Sequence, residues 1–395
     1  MSTLDCPDIV VTGMGQSSSL ADNVQAFWSA LVSGKSGVKP LSVVNPVGRG
    51  LGGALPDGGG EEGMPERLAR AIDSAIGEAL SDARVTGCAA LKREAAVVAG
   101  SNFSDVYRWC RDGDFFQPMR KVVADHALGG EFWGVSTACA SGVGALGPAA
   151  ELIRYEGVPL VVVCAYDGIY RYTYEGMASL RVLSGDQIRP FDERRCGTLL
   201  GEGAGVIVLE ARRHAEARGA KIYAEMIGYG ISNDAYHFTA PEPGGAGICN
   251  AMAQALDEAG IDACEVDHFN AHGTGTSHND RVETSAIRAT FGEFAHTIPV
   301  TSIKPAIGHC MGAAGILEVI AAILSLRDQV VPPTLNSGLR APECDLDYVF
   351  EKRRPMAMNT VMSNSYGLWG CNASVAFRKA DRDSAVALAM VESGR

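Results

Sequence analysis

The chain has 395 residues, of which 20% are charged and 47% hydrophobic, with a formal charge of -12. Such a length holds two or three domains, or one large architecture of two similar halves, and the composition is globular with ample core, not disordered. The acidic balance argues against nucleic acid as the main partner, because phosphate binding needs clustered Lys and Arg, but it leaves room for an acidic protein partner at a local basic patch.

The amino terminus, MSTLDCPD, carries acids where a signal peptide carries positive charge, which predicts a cytoplasmic protein. Asp8 to Gly13 (DIVVTG) reads as a buried strand running into GMGQSS. Gly13 and Gly15 superficially resemble a dinucleotide loop, but Ser18 stands at the third glycine position and no phosphate-binding Lys follows, so nucleotide binding is disfavoured. Asn23 to Leu31, with Phe27 and Trp28, predicts an amphipathic helix ending near Gly34. Residues 45–63, rich in Gly and Pro, predict an exposed loop. A helix over Glu66 to Asp82 follows, with Leu68, Ile72, Ile76 and Leu80 on one face, and then a strand over Glu94 to Ala99. The segment Ser101 to Phe132 carries Phe103, Tyr107, Trp109, Phe115 and Phe116, a run expected in core or subunit interface.

Gly134 to Gly147, GVSTACASGVGALG, sets Cys139 where a tight turn becomes the first turn of a helix, with Leu146, Ala149, Leu152 and Ile153 at helical spacing beyond it. Small neighbours let another molecule approach the sulfur, and unpaired amides at a helix N-terminus favour a thiolate nucleophile. A buried structural cysteine is the competing reading, and the residues around it do not decide between the two. Pro159 to Ala165 (PLVVVCA) predicts a strand covered on both faces, as in a parallel sheet. In RPFDERRCGTLLGEGAGVIVLE the glycines Gly201, Gly203 and Gly205 precede a buried strand, Val206 to Leu209, and not a helix, which points to close backbone packing and away from phosphate binding.

From about Lys221 the pattern starts again. Phe269 leads into NAHGTGT, which sets His272 in a Gly- and Thr-rich loop after an apolar strand, where α/β architectures place chemistry. SIKPAIGHCMGAAG sets Lys304 on a proline-broken turn and His309 at a glycine-flanked helix start. Ala313 to Leu326, interrupted by Glu318, is shorter than the ~20 residues that cross a bilayer, and predicts a buried helix. GLWGCNASVAF echoes GEGAGVIVLE, so two halves of one repeated α/β unit are expected: 1–215, 216–380, and a tail over 381–395. The eleven cysteines contain no CxxC pair, which suits reduced thiols and predicts neither a disulfide framework nor a structural zinc site.

Taken together, VVTGMG, TACASG, RPFDERRCGTLLGEGAGVIVLE, SNDAYHFTAP, NAHGTGT with Asp280 and Glu283 following, SIKPAIGHCMGAAG and NSYGLWGCN occur in an order that resembles the elongating β-ketoacyl synthases of the thiolase superfamily, across nearly the whole chain. The resemblance implies a thiolase-like α/β fold, two pseudo-repeated halves layered α-β-α-β-α. It implies a decarboxylative Claisen condensation in polyketide or fatty-acid biosynthesis. Cys139 carries the acyl chain as a thioester, and His272 and His309 promote decarboxylation of a malonyl extender and hydrogen-bond the enolate. Lys304 holds its neighbours and Glu283 in place. The backbone amides of Cys139 and Leu368 form an oxyanion hole. Thr274, Thr276 and Thr239 match positions that hydrogen-bond a phosphopantetheine arm, or else cap local turns. No metal or other cofactor is implied, because substrates arrive on phosphopantetheine. The implied partners are an acyl carrier protein and a second subunit, identical or a ketosynthase-like chain, with no nucleic acid and no membrane.

The chain departs from the family at its gate, where Gly367-Leu368-Trp369-Gly370 replaces Gly-Phe-Gly-Gly and Tyr366 replaces Phe. Trp369 is assigned to substrate binding there, its bulk bearing on gating and pocket shape. Segment Ser101 to Phe132 is shorter than in fatty-acid synthases, which points to a specialised pathway. Three competing readings remain: a transacylase that does not decarboxylate, a pocket-shaping subunit, which Cys139 speaks against, and a thiolase using Cys371 as a second cysteine.

Overall fold

The computed structural model describes residues 7–41, 50–56, 64–104, 106, 110–111 and 113–380. In chain order its main elements are β1 (Ile9–Ser18), α1 (Val24–Val32), α2 (Met64–Asp82), β2 (Ala96–Gly100), α3 (Gln117–Asp125), β3 (Phe132–Val135), α4 (Leu146–Arg154), β4 (Leu160–Asp167), β5 (Gly203–Ala211), β6 (Ala224–Asn233), α5 (Ala246–Ala259), β7 (His268–Asn270), α6 (Ser277–Phe291), β8 (Pro299–Thr301), α7 (Ala314–Asp328), β9 (Asp347–Tyr348), β10 (Thr360–Tyr366) and β11 (Cys371–Lys379).

The eleven long-range strands run in the order β9-β8-β7-β10-β11-β6-β1-β5-β4-β2-β3. Read outward from the centre, β1-β5-β4-β2-β3 and β6-β11-β10-β7-β8 repeat one pattern: two antiparallel pairings, then two parallel ones. A short antiparallel contact, Ile9 with Met226 to Val11 with Ala224, joins the two runs.

Apolar cores fill the spaces between five layers, the central one lying on both sides of the middle helices. Leu68, Ile72 and Ile76 of α2 and Met119 of α3 cover one face of the first run through Val97, Val162 and Val206. The other face, with Val163 and Ile207, meets α4 and α7 in a central core that also takes Val361 and Val375 from the second run. Ile248 and Met252 of α5 and Val282 and Ile287 of α6 close the outer face of the second run over Phe269 and Met362. This is the expected α-β-α-β-α layering. Alternate residues of β4 and β5 face different cores, which is why those strands read as apolar without alternation. The parallel-sheet expectation for β4 holds on the β2 side only, since its β5 pairing is antiparallel.

Helix α7 lies in the middle layer and is buried from Ala314 to Leu326, as a helix apolar on every side must be, with Glu318 buried among its apolar residues. Among the described residues no helix is long and apolar enough to cross a membrane.

Several expectations need correction. GMGQSS is not a loop: β1 continues through it to Ser18. Within the expected exposed loop, Leu51–Gly52 pairs with Lys39–Pro40 and Leu55 is buried; Gly58, Gly59 and Gly60 lie outside the described residues. Gly203 and Gly205 belong to β5, and a side chain at Gly205 would meet Ile316 at 2.7 Å, so close packing against α7 explains them. Phe115, Phe116 and Phe132 stack edge to face, while Tyr107, Trp109 and the tail lie outside the described residues.

Candidate active site

Chemistry gathers where β3, β7, β8 and β10 end, on the loops that leave their carboxyl ends. Beyond β3 the backbone turns sharply at Ala138, whose φ of 53° is left-handed for a residue other than glycine. Ser141 fixes this elbow: its hydroxyl accepts the Thr137 amide at 2.9 Å and donates to the Ala138 carbonyl at 2.6 Å. A short helical turn, Ser141–Gly144, then precedes α4. The small residues here serve packing more than substrate approach, because a side chain at Gly142 would meet the Ile316 amide of α7 at 2.7 Å.

Cys139, at the elbow, is 4% exposed. Burial pushes its thiol up to about 12, although the Lys304 charge and the Leu368 amide both favour the anion. Burial thus favours a neutral resting thiol, desolvation outweighing the Lys304 charge and the Leu368 amide, where the sequence alone left the two readings open.

His272 follows β7. The amides of His272 and Gly273 donate to the two Glu283 oxygens at 2.7 and 2.9 Å, so α6 clamps this loop from below. Asp280, on the same helix, accepts from the Phe191 amide at 2.8 Å and the Gly275 amide at 3.2 Å. Lys304, following β8, donates to the His272 carbonyl and lies 3.3 Å from His272 Nδ1. An ammonium only donates, so Nδ1 accepts and the proton of a neutral His272 sits on Nε2. Lys304 pairs directly with Glu318, 2.5 Å away, while Glu283, whose oxygens face the loop amides, feels the Lys304 charge without contact.

His309 is held by its backbone, its amide donating to the Leu199 carbonyl at 2.7 Å and its carbonyl accepting from Gly201 at 2.9 Å. Among the described residues its buried Nδ1 has no hydrogen-bond partner. The two imidazoles stand nearly perpendicular with centroids 5.3 Å apart. Burial, then the Lys304 charge, holds both well below the usual histidine range, and His309 adds to the effect on His272. Both are neutral at physiological pH. Burial also pushes Glu283 up to about 8 and Glu318 up to about 7.

Cys139, His272 and His309 line one cavity of about 350 Å³, together with Thr239, Thr274, Thr276 and Leu368. Thr274 and Thr276 bond each other at 2.9 Å, so local turn contacts and cavity lining coexist. The Tyr366 ring meets His272 edge to face at 5.5 Å, and its hydroxyl accepts from Asn364 at 2.5 Å. Trp369 is not among the cavity-lining residues: it is 66% exposed and holds a left-handed φ of 67°. Cys371 is half-buried at the start of β11 and also lies outside the lining.

Glu318 is the site residue that the sequence reading missed, having counted it only as an interruption. The signal was present: a lone acid in an otherwise apolar buried helix needs a cation, and Lys304 on the preceding turn supplies it. Among the described residues no group of three or more His, Cys, Asp or Glu is arranged to hold a metal ion.

This arrangement supplies a thiol, two neutral hydrogen-bonding imidazoles and backbone amides around one cavity, the equipment for acyl transfer through charged oxygen intermediates. Models of the β-ketoacyl synthase N-terminal and C-terminal domains match residues 63–215 and 223–338. A 3-oxoacyl-[acyl-carrier-protein] synthase 2 of Synechocystis sp. is 34% identical, over 96% of this chain and 100% of the relative. A type II PKS ketosynthase solved in complex with its acyl-carrier protein and bound to a hexaketide superposes with a TM-score of 0.87 at 28% identity, covering 95% of this chain and 100% of that one. The ishigamide ketosynthase/chain length factor gives 0.85 at 30% identity, with coverage of 95% and 100%.

Proposed function

Since the chain belongs to the β-ketoacyl synthase family, we infer that it joins a Cys139-bound acyl group to malonyl-carrier protein by decarboxylative Claisen condensation. The observation that carries the reading is that one cavity holds the Cys139 thiol and two imidazoles kept neutral by burial.

In the first half-reaction the Cys139 sulfur attacks the thioester carbonyl of an acyl-carrier protein. The new C–S bond forms as the carrier's C–S bond breaks, and the thiol proton ends on the leaving sulfur. A neutral imidazole is the group placed to take that proton as the sulfur attacks, which a thiol at about 12 requires. The amides of Cys139 and Leu368 receive the tetrahedral oxyanion.

In the second half-reaction the malonyl carboxylate leaves as carbon dioxide, and its C–C electron pair passes into an enolate. His272 Nε2–H and His309 donate to the enolate oxygen. Neutral donors suit this task, because they need no buried charge in the resting site. The enolate carbon attacks the Cys139 thioester carbonyl, the C–S bond breaks, and the sulfur takes up one proton from solvent. Lys304 acts as a positioning residue that fixes the His272 tautomer, Glu318 balances its charge, and Glu283 holds the His272 loop.

Thr239, Thr274 and Thr276 hydrogen-bond the phosphopantetheine arm, and no metal or other cofactor takes part. The partners are an acyl carrier protein and a second subunit, a copy of this chain or a ketosynthase-like one, a reading supported by the complexes in which similar ketosynthases were solved. Residues 1–215 and 216–380 form the two halves, a division supported by the strand pattern that repeats outward from β1 and from β6. A cytoplasmic location is supported by free thiols at every described cysteine.

Incubation with acyl- and malonyl-carrier protein is expected to release carbon dioxide and yield a β-ketoacyl product. Cys139→Gln should keep malonyl decarboxylation and end condensation. An acyl adduct that persists in Cys139→Ala would sink the nucleophile assignment.

A further inference from the structure

Trp369 holds a left-handed backbone conformation, φ 67°, that L side chains adopt at a cost. No burial offsets it, since the indole is 66% exposed. The backbone is also pinned: the Trp369 amide donates to the Phe238 carbonyl at 2.9 Å, and its carbonyl accepts from Asn233 Nδ2 at 3.0 Å. A strained, exposed aromatic held rigidly points to a role other than folding.

Its partner is of the same kind. Phe238 is 53% exposed with its ring 6.0 Å from the indole, and it stacks on His237 at 4.5 Å. His237 Nδ1 accepts the Thr239 and Ala240 amides at 3.1 and 3.2 Å, which ties the aromatic pair to two residues of the cavity lining. On the other side Leu368 and Gly370 flank Trp369 in sequence and also line the cavity. The two rings therefore sit on the rim of the opening and not within it.

A group that reaches Cys139, 4% exposed, must cross this rim. The part of the substrate level with the rings is then the trailing arm, while the acyl chain lies deeper. Threonine hydroxyls on the lining and aromatic faces on the rim suit a linear arm that alternates methylene segments with planar amides: hydroxyls bond the amide N–H and C=O, and rings stack on amide planes and methyl groups.

We propose that Trp369 and Phe238 form an aromatic clamp at the cavity mouth that grips the amide-bearing arm of the incoming thioester, so that this chain reads the arm as well as the acyl group. The clamp rests on the proposed transfer of an acyl group to Cys139. It is tested by single-turnover acylation of the full chain, followed by intact mass, with one acyl group carried either on pantetheine or on N-acetylcysteamine, which keeps only the terminal amide. Trp369→Gly is expected to lower the rate constant for the pantetheine thioester about tenfold, with a loss at least about threefold smaller for the short thioester. Phe238→Ala should behave alike, and Trp369→Phe should recover most of the rate. Trp369→Gly should melt no lower than the unaltered chain, because glycine accepts the positive φ and no buried contact is lost. Equal losses with both thioesters, or no loss with either, would overturn the clamp while leaving acyl transfer intact. Failure of the unaltered chain to be acylated by either thioester would overturn the proposed function, and the clamp with it.

Discussion

Lys304 and Glu318 form an ion pair sealed from solvent, with Nζ 2.5 Å from Oε1 and no exposed surface on either side chain. Such a pair adds little net stability, but removing one member strands a buried charge at a cost of about 3 to 5 kcal/mol. Glu318→Ala is therefore expected to destabilise the chain by roughly that amount in urea unfolding. The double replacement Lys304→Met with Glu318→Leu should recover most of the loss without restoring malonyl decarboxylation, because nothing then fixes the His272 tautomer. Full activity in the double variant would show that the pair is structural only.

The resting state of the nucleophile has its own signature. With the Cys139 thiol pushed up to about 12 by burial, the anion fraction rises about tenfold per pH unit far below that value. Alkylation of Cys139 by iodoacetamide, followed by mass spectrometry, should therefore climb about tenfold per unit between roughly pH 7 and 9 without levelling. Lys304→Met should slow it further, since the lysine charge favours the anion. A plateau near neutral pH would mean that a thiolate already stands in the resting site.

Much of this site was legible as spacing. The cysteine reads as a turn opening a helix, His272 as part of a Gly- and Thr-rich loop after a strand, Lys304 as a proline-broken turn and His309 as a glycine-flanked helix start, and folding brings all four residues together. What spacing could not convey was depth. The small residues beside Cys139 look like access to the sulfur, yet Gly142 is small because α7 packs on it. GMGQSS looks like a loop because glycines usually end strands. Here Gly13 and Gly15 lie under α2, where a side chain would meet the Ala79 and Ala75 carbonyls at 2.4 and 1.9 Å. The same holds for the sulfur: a helix start is visible in sequence, whereas the burial that favours a neutral Cys139 thiol is a property of five layers. Trp369 reads as pocket-filling bulk until its φ is known.

Depth also sets how stability responds to pH. Burial pushes Glu283 up to about 8, while in the unfolded chain it releases its proton near the ordinary value of about 4.3. Over that window the native state holds the extra proton, so this group's contribution is full at low pH and lost as pH rises toward about 8. The buried His272 and His309 act oppositely: they stay neutral in the native state, so acid charges only the unfolded chain and stability falls below roughly pH 6.5. A maximum near about pH 6.5 is expected in urea unfolding. Glu283→Gln should flatten the alkaline side up to about pH 8; an unchanged slope there would mean that Glu283 is already ionised in the native chain.

Gly367 gives the sharpest separation of the two half-reactions. A side chain there would stand 2.9 Å from the Ala138 Cβ and 3.0 Å from both the Cys139 amide and the Thr137 carbonyl, so it would press on the nucleophile elbow from the gate side. Its own backbone is extended at φ -125°, so alanine brings no conformational strain, and any effect is one of contact. Pushing the elbow away from Leu368 separates the two amides that receive the oxyanion, and losing one such donor costs about a hundredfold or more in rate. Gly367→Ala is thus expected to lower Cys139 acylation by about that factor. Malonyl decarboxylation should fall much less, because His272 and His309 are anchored through Glu283, Lys304 and the Leu199 carbonyl, whereas the three atoms nearest a side chain at Gly367 all belong to the elbow. Measuring both rates on one preparation decides the matter. A selective loss of acylation places the defect at the elbow, and an equal fall in both would mean that the histidines depend on the gate for their position.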